Sequence, residues 1–103
     1  MPAYAILKQD EISKALGAMP SWRFDDDRLV SSFKFPTFQM AMVFMMKCAT
    51  HAEWLDHHPS WSNCYDVVDI GLQTHAAGGK VTNLDVELAR LISREFEAME
   101  QDM

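Results

Sequence analysis

The sequence predicts an α+β sandwich: a four-stranded antiparallel sheet with three helices on one face, in the order α-β-β-α-β-β-α. Three observations lead there. Two pairs of short, alternating apolar stretches are each joined by a tight acidic turn. A long apolar run separates the pairs, and the last twenty residues carry a clean helical stripe.

The elements follow in order. Ile12, Ala15, Leu16 and Met19 recur at helical spacing before Pro20, which predicts a short helix from about Lys8 to Ala18. Trp22-Arg23-Phe24 reads as a short strand and Asp25-Asp26-Asp27 as its turn. Leu29, Ser31, Phe33 and Phe35 then alternate with Val30, Ser32 and Lys34, the pattern of a half-buried strand paired with the first as a hairpin. Pro36 suits the first turn of a helix, where its missing N–H leaves no bond unmade. That helix should run to about Asp56, because the residue before Pro59 is disfavoured in the α region. Trp61 to Tyr65 and Val67 to Thr74 read as two strands around a turn at Tyr65-Asp66. Val68, Ile70, Leu72 and Thr74 share one face, with Asp69, Gly71, Gln73 and His75 on the other. Residues 76–80 form a loop. In the last helix Leu84, Leu88, Leu91, Ile92, Phe96 and Met99 form one stripe, with Thr82 as N-cap and Asp85 three residues on.

The chain has 103 residues, 49% of them apolar and 23% charged, which suits one compact domain over 1–103 and excludes a disordered chain. A net charge of −6 with dispersed acidic residues argues against phosphate-backbone binding and hence against direct contact with nucleic acid. The longest apolar stretch, Met40 to Met46, is far short of a membrane span, and the N-terminus lacks a signal-peptide pattern. Cys48 and Cys64 have no CxxC spacing and read as two buried thiols in a reducing compartment. The expectation is a soluble cytoplasmic protein. Because residues 40–46 are apolar on every helical face, the second helix should meet another subunit as well as its own sheet, which predicts an oligomer.

The chemistry concentrates in Glu53-Trp54-Leu55-Asp56-His57-His58-Pro59-Ser60-Trp61, with His75 downstream. Histidine both gives and takes protons near neutrality, so the cluster is either a proton-transfer site or a metal site. Glu53 and His57 stand at i, i+4 on the second helix, where the carboxylate can orient the ring or favour its charged form. Pro59 pushes His58 into extended backbone, and His75 ends a strand that can bring it to the same pocket. Trp61 can stack on a flat substrate and Asp85 can supply a carboxylate. Each residue also has a plainer account: dipole stabilisation for a histidine near a helix C-terminus, a cap for Asp85, core packing for Trp61, solvated charge for Glu53 and His51. A zinc site on His57, His75 and a carboxylate competes, but the spacing lacks the HExxH pair and no cysteine cluster completes a tetrahedron. Metal-free acid–base chemistry is the preferred reading.

Glu53, three residues, His57-His58-Pro59, the aromatic Tyr65, then His75 and Asp85 together resemble the signature of the pterin-4a-carbinolamine dehydratases, also known as dimerisation cofactors of a homeodomain transcription factor. Trp61, Asn63, Thr74 and the glycine-containing loop after His75 are similar as well. The resemblance covers about Phe33 to Met99 well and the first helix loosely.

It implies dehydration of 4a-hydroxytetrahydropterin to quinonoid dihydropterin, which recycles the cofactor of aromatic amino-acid hydroxylases, with no cofactor or metal of its own. It implies His57, His58 and His75 as catalytic, with His57 and His75 moving the protons. Glu53, Asp56, Pro59, Trp61, Thr74 and Asp85 would surround the pterin. The implied partners are the pterin substrate, further copies of the chain in a homodimer or homotetramer through the 36–56 helix and sheet edges, and the hydroxylase pathway. The alternative is a non-catalytic dimerisation cofactor acting through the apolar second helix.

Overall fold

The computed structural model describes residues 3–103. Its elements are α1 (Gln9–Gly17), β1 (Arg23–Asp25), β2 (Arg28–Lys34), α2 (Phe38–Leu55), β3 (Ser60–Cys64), β4 (Val67–Leu72), a single 3₁₀ turn (His75–Ala77) and α3 (Asn83–Glu100). The four strands form one antiparallel sheet in the order β1-β2-β4-β3. The α-β-β-α-β-β-α architecture is the one the sequence predicts.

Alternation decides which face of the sheet is covered. Leu29, Ser31 and Phe33 of β2, with Val68, Ile70 and Leu72 of β4, are buried, and Ser32 and Asp69 point the other way into solvent. The β2–β4 register pairs Ser31 with Ile70 and Phe33 with Val68, so the apolar side chains stand in rows. α2 lays Ala41, Phe44, Cys48, Ala52 and Leu55 on this floor, and α3 adds Leu84, Leu88, Ala89, Ile92 and Met99. Phe33, Phe35, Phe44 and Phe96 join the layers, with ring centroids 4.9 Å apart for both Phe33–Phe96 and Phe35–Phe44.

The open face carries one close approach. A Cβ on Gly71 would stand 2.8 Å from a guanidinium nitrogen of Arg28, so glycine there lets the Arg28 side chain lie flat across the sheet. The β1–β2 turn places Asp26 and Asp27 at φ 53° and 60°, the left-handed pair whose twist matches a two-residue hairpin.

Several boundaries differ from those expected. Pro36 stands outside α2. Thr37 is the N-cap, its hydroxyl accepting the Met40 N–H at 3.1 Å, so the helix starts on a side-chain cap rather than on the proline. β4 ends at Leu72 instead of Thr74, and His75 opens a 3₁₀ turn rather than ending a strand. The chain must turn at this point, and Gly78 and Gly79, at φ 74° and 80°, return it so that Thr74 N–H bonds Lys80 O at 2.9 Å. His51 is half-buried and bonded to Glu95 of α3 at 2.7 Å, not simply solvated. Cys64 is exposed on β3, whereas Cys48 is buried. Both thiols are free. No helix among the described residues is long and apolar enough to cross a membrane.

Candidate active site

The end of α2 determines what the histidines can reach. Asp56 takes the left-handed conformation (φ 51°), its N–H bonding Glu53 O at 3.1 Å, and the His57 N–H reaches back to Ala52 O at 3.0 Å. This pair of bonds is a Schellman closure, with Asp56 where glycine is most common. It turns the chain off the helix axis before His57. The expected i, i+4 alignment of Glu53 with His57 is therefore not formed. Glu53 instead holds His58, with Oε1 2.7 Å from Nε2 on the exposed surface.

His57 turns inward and is 6% exposed. Its Nε2 lies 2.5 Å from Oδ1 of Asp85, a carboxylate of zero exposure in the first turn of α3. Asp85 occupies the capping-box position: its Oδ2 accepts the Thr82 N–H at 2.8 Å, and the Thr82 hydroxyl in turn accepts the Leu84 N–H at 3.2 Å. Thr74, just beyond β4, donates its hydroxyl to the same Oδ2 at 2.9 Å and lies 2.7 Å from the Thr82 hydroxyl. The plain and the chemical accounts of Asp85 thus coincide, because one carboxylate caps α3 and holds His57.

Asp56, His57, His58, Gln73, Thr74, His75 and Ala76 line a cleft of about 140 Å³. His57, His58 and His75 all line it, His57 buried and His58 and His75 exposed. Asp56 also belongs to it. Pro59 is half-buried and fixes the exit from the His57-His58 pair, while Trp61, also half-buried, packs against the core from β3 and does not line the cleft. The Thr74 side chain faces the Asp85 network, so its contribution is to hold that carboxylate.

Sequence reading had Thr82 only as the cap of the last helix, and it missed Gln73 and Ala76 as cleft residues and a clamp from the N-terminal segment. The Tyr4 hydroxyl donates to Ala76 O at 3.0 Å, Ala5 N–H to Asn83 Oδ1 at 2.7 Å, and Leu7 N–H to Val81 O at 3.0 Å. Residues 4–7 therefore tie down the turn that carries His75 and the start of α3. The capping box was a signal for Thr82; nothing local signals the clamp, whose partners are over 70 residues apart.

Among the described residues no group of three or more histidine, cysteine or acidic side chains converges as a metal-holding set. Burial, reinforced by the nearby Glu95 charge, pushes the Cys48 thiol up to about 12, which keeps it protonated in the core.

Fold and site together define an α+β sandwich with a histidine-lined cleft backed by a buried carboxylate. The chain belongs to the pterin 4 alpha carbinolamine dehydratase family, whose model matches residues 5–95, and this is a family of hydro-lyases. Relatives from Opitutus terrae (49% identical over 85 residues, 82% of this chain and 88% of the relative) and Rhizorhabdus wittichii (47% over 88 residues, 84% and 90%) carry the provisional name pterin-4-alpha-carbinolamine dehydratase. A crystal structure from Brucella melitensis, described as a transcriptional coactivator/pterin dehydratase, superposes with a TM-score of 0.85 at 39% identity, covering 89% of this chain and 99% of that one.

Proposed function

We propose that the chain dehydrates 4a-hydroxytetrahydropterin to quinonoid dihydropterin and water by histidine acid–base catalysis, recycling the pterin cofactor of aromatic amino-acid hydroxylases. The observation that carries the reading is the convergence of His57, His58 and His75 on one cleft, with His57 braced by the buried Asp85. In the reaction N5 loses its proton, the electron pair forms the C4a=N5 bond, and the C4a hydroxyl leaves with an added proton as water. One group must accept a proton and another must donate one, and positioned histidines do each to the extent of ~10²–10⁴-fold. His57 and His75 are assigned these transfers. His58, held by Glu53, contacts the pterin or its leaving hydroxyl, and Asp56 lines the same cleft.

His57→Ala and His75→Ala should each lower turnover by orders of magnitude while leaving the circular dichroism spectrum unchanged. Wild-type rates in both variants would remove the assignment.

The protein also acts as a homodimer or homotetramer in this reading. Support comes from α2, whose outer side leaves Val43 and Met46 exposed (43% and 71%) around an apolar trough with Met42 and Lys47. Light scattering should give a multiple of the 11.8 kDa chain mass, and Met46→Lys should reduce it. The same surface, with the coactivator description of the Brucella relative, supports a second reading as a protein-binding dimerisation cofactor. The two free thiols fit a cytoplasmic location.

A further inference from the structure

We infer that Thr82 and Thr74 form a one-way hydroxyl chain into Asp85, whose carboxylate fixes the His57 proton on Nε2, making Nδ1 the ring atom that takes the N5 proton. The role of Nδ1 rests on the dehydratase reading; the direction of the chain does not.

The direction follows from which groups can only donate. The Leu84 and Thr82 N–H groups are backbone amides and have no acceptor capacity. Leu84 N–H occupies the Thr82 hydroxyl oxygen, and Thr82 N–H occupies Asp85 Oδ2. The Thr74 hydroxyl points its hydrogen at that same Oδ2. A hydroxyl has one hydrogen, so in the 2.7 Å contact between the two threonines Thr82 must be the donor and Thr74 the acceptor. The chain therefore runs from Leu84 N–H through the Thr82 and Thr74 hydroxyls into Asp85. An ionised carboxylate has no hydrogen to give, so Oδ1 accepts from His57 Nε2, and Nε2 supplies the hydrogen.

That leaves the other ring nitrogen. Nδ1 of His57 has no hydrogen-bond partner among the described residues, yet none of their buried side-chain nitrogens or oxygens lacks one. Nδ1 is therefore reached by solvent, and His57 lines the cleft. A neutral ring held as Nε2–H presents an Nδ1 lone pair there. When Nδ1 takes the N5 proton, the N5–H electrons form C4a=N5 and the C4a–O bond breaks. The hydroxyl leaves as water with a proton from the general acid. The resulting imidazolium lies against the Asp85 carboxylate, which stabilises it. Thr74 and Thr82 are positioning residues in this scheme, acting through Asp85.

Long-range ¹H–¹⁵N correlation spectra of the ¹⁵N-labelled protein, without substrate, read the tautomer directly. The expected result is a His57 ring with Nε2 protonated and Nδ1 bare in its neutral form; a proton on Nδ1 would overturn the inference. Asp85→Asn provides the inverse test. Thr82 N–H and the Thr74 hydroxyl would still claim the side-chain oxygen, so the amide nitrogen would face Nε2 and force the hydrogen onto Nδ1. The expected change is a switched tautomer with turnover lowered by up to about 10⁴-fold, the drop that such a wrong-tautomer change produces in a serine-protease triad. Retention of the Nε2–H form in this variant would contradict the chain's direction. In the Asp85→Asn background, Thr74→Val removes one of the two donors that orient the amide and should mix the tautomers, and Thr74→Ser there should keep the switched form. Thr74→Val alone should lower kcat about tenfold with little change in KM. Unmixed tautomers in the Asp85→Asn, Thr74→Val double variant would contradict the role of the hydroxyls. A wild-type protein with the Nε2–H tautomer and no dehydratase activity would retain the chain and remove the dehydratase reading instead.

Discussion

Asp85 closes the first turn of α3 and, 2.5 Å away, holds Nε2 of His57, so the cap of one helix positions the side chain that follows another. Folding and chemistry share this carboxylate. Removing it should therefore affect both, and to different degrees according to what replaces it.

Asp85→Ala leaves the Thr82 N–H, the Thr74 hydroxyl and His57 Nε2 without their acceptor in a site of zero exposure. The loss of the cap and the buried unmet donors should destabilise the fold by about 3 kcal/mol or more. Asp85→Asn keeps most of these bonds and should lose far less. Urea unfolding of both variants measures the difference, and equal losses would mean that the network contributes little.

The Glu53–His58 pair is exposed on both sides. Glu53→Gln should change stability by less than about 1 kcal/mol, as for surface ion pairs generally. A clear fall in turnover at unchanged stability would then report the placement of His58 on the cleft. Unchanged turnover would make the pair ordinary surface charge.

Tyr4 anchors the His75 turn through Ala76 O. Tyr4→Phe removes one hydrogen bond and should lower stability by about 1 kcal/mol or less. It should also speed amide hydrogen exchange at Ala77, Gly78 and Gly79 and lower turnover a few-fold. Unaltered exchange at these amides would show that the remaining clamp bonds suffice.

Only Cys64 should react with a thiol reagent in the native protein, and both cysteines after unfolding. The folded Cys48 thiol keeps its proton up to about 12, while the unfolded thiol releases it near 9.0. The stabilisation from the neutral thiol is thus complete below pH 9.0 and is lost as pH rises toward 12. Unfolding midpoints over that window, compared with Cys48→Ala, should show a loss in the parent that the variant lacks.

The fold was legible because its determinants are local and repetitive. The alternation in β2 and β4 and the stripe in α3 each report a face directly, and the Thr82–Asp85 capping box was visible as a spacing. The site was half legible. Sequence spacing brought His57, His58 and His75 forward, but it paired Glu53 with the wrong histidine. That pairing assumed a helix through His57, whereas Asp56 takes a left-handed turn that aspartate tolerates better than most residues. Contacts between distant segments, such as His51 with Glu95 or Tyr4 with Ala76, leave no local trace. Trp61 shows the converse: an aromatic beside the histidines in sequence packs on the core, because β3 carries it to the covered side of the sheet.

The most direct test of the central claim is stopped-flow absorbance of chemically generated 4a-hydroxytetrahydropterin, with and without the protein, in EDTA. The account predicts dehydration faster than the uncatalysed baseline, unaffected by EDTA, and abolished in a His57→Ala, His75→Ala double variant. A rate equal to the baseline, or acceleration that survives in the double variant, would contradict it.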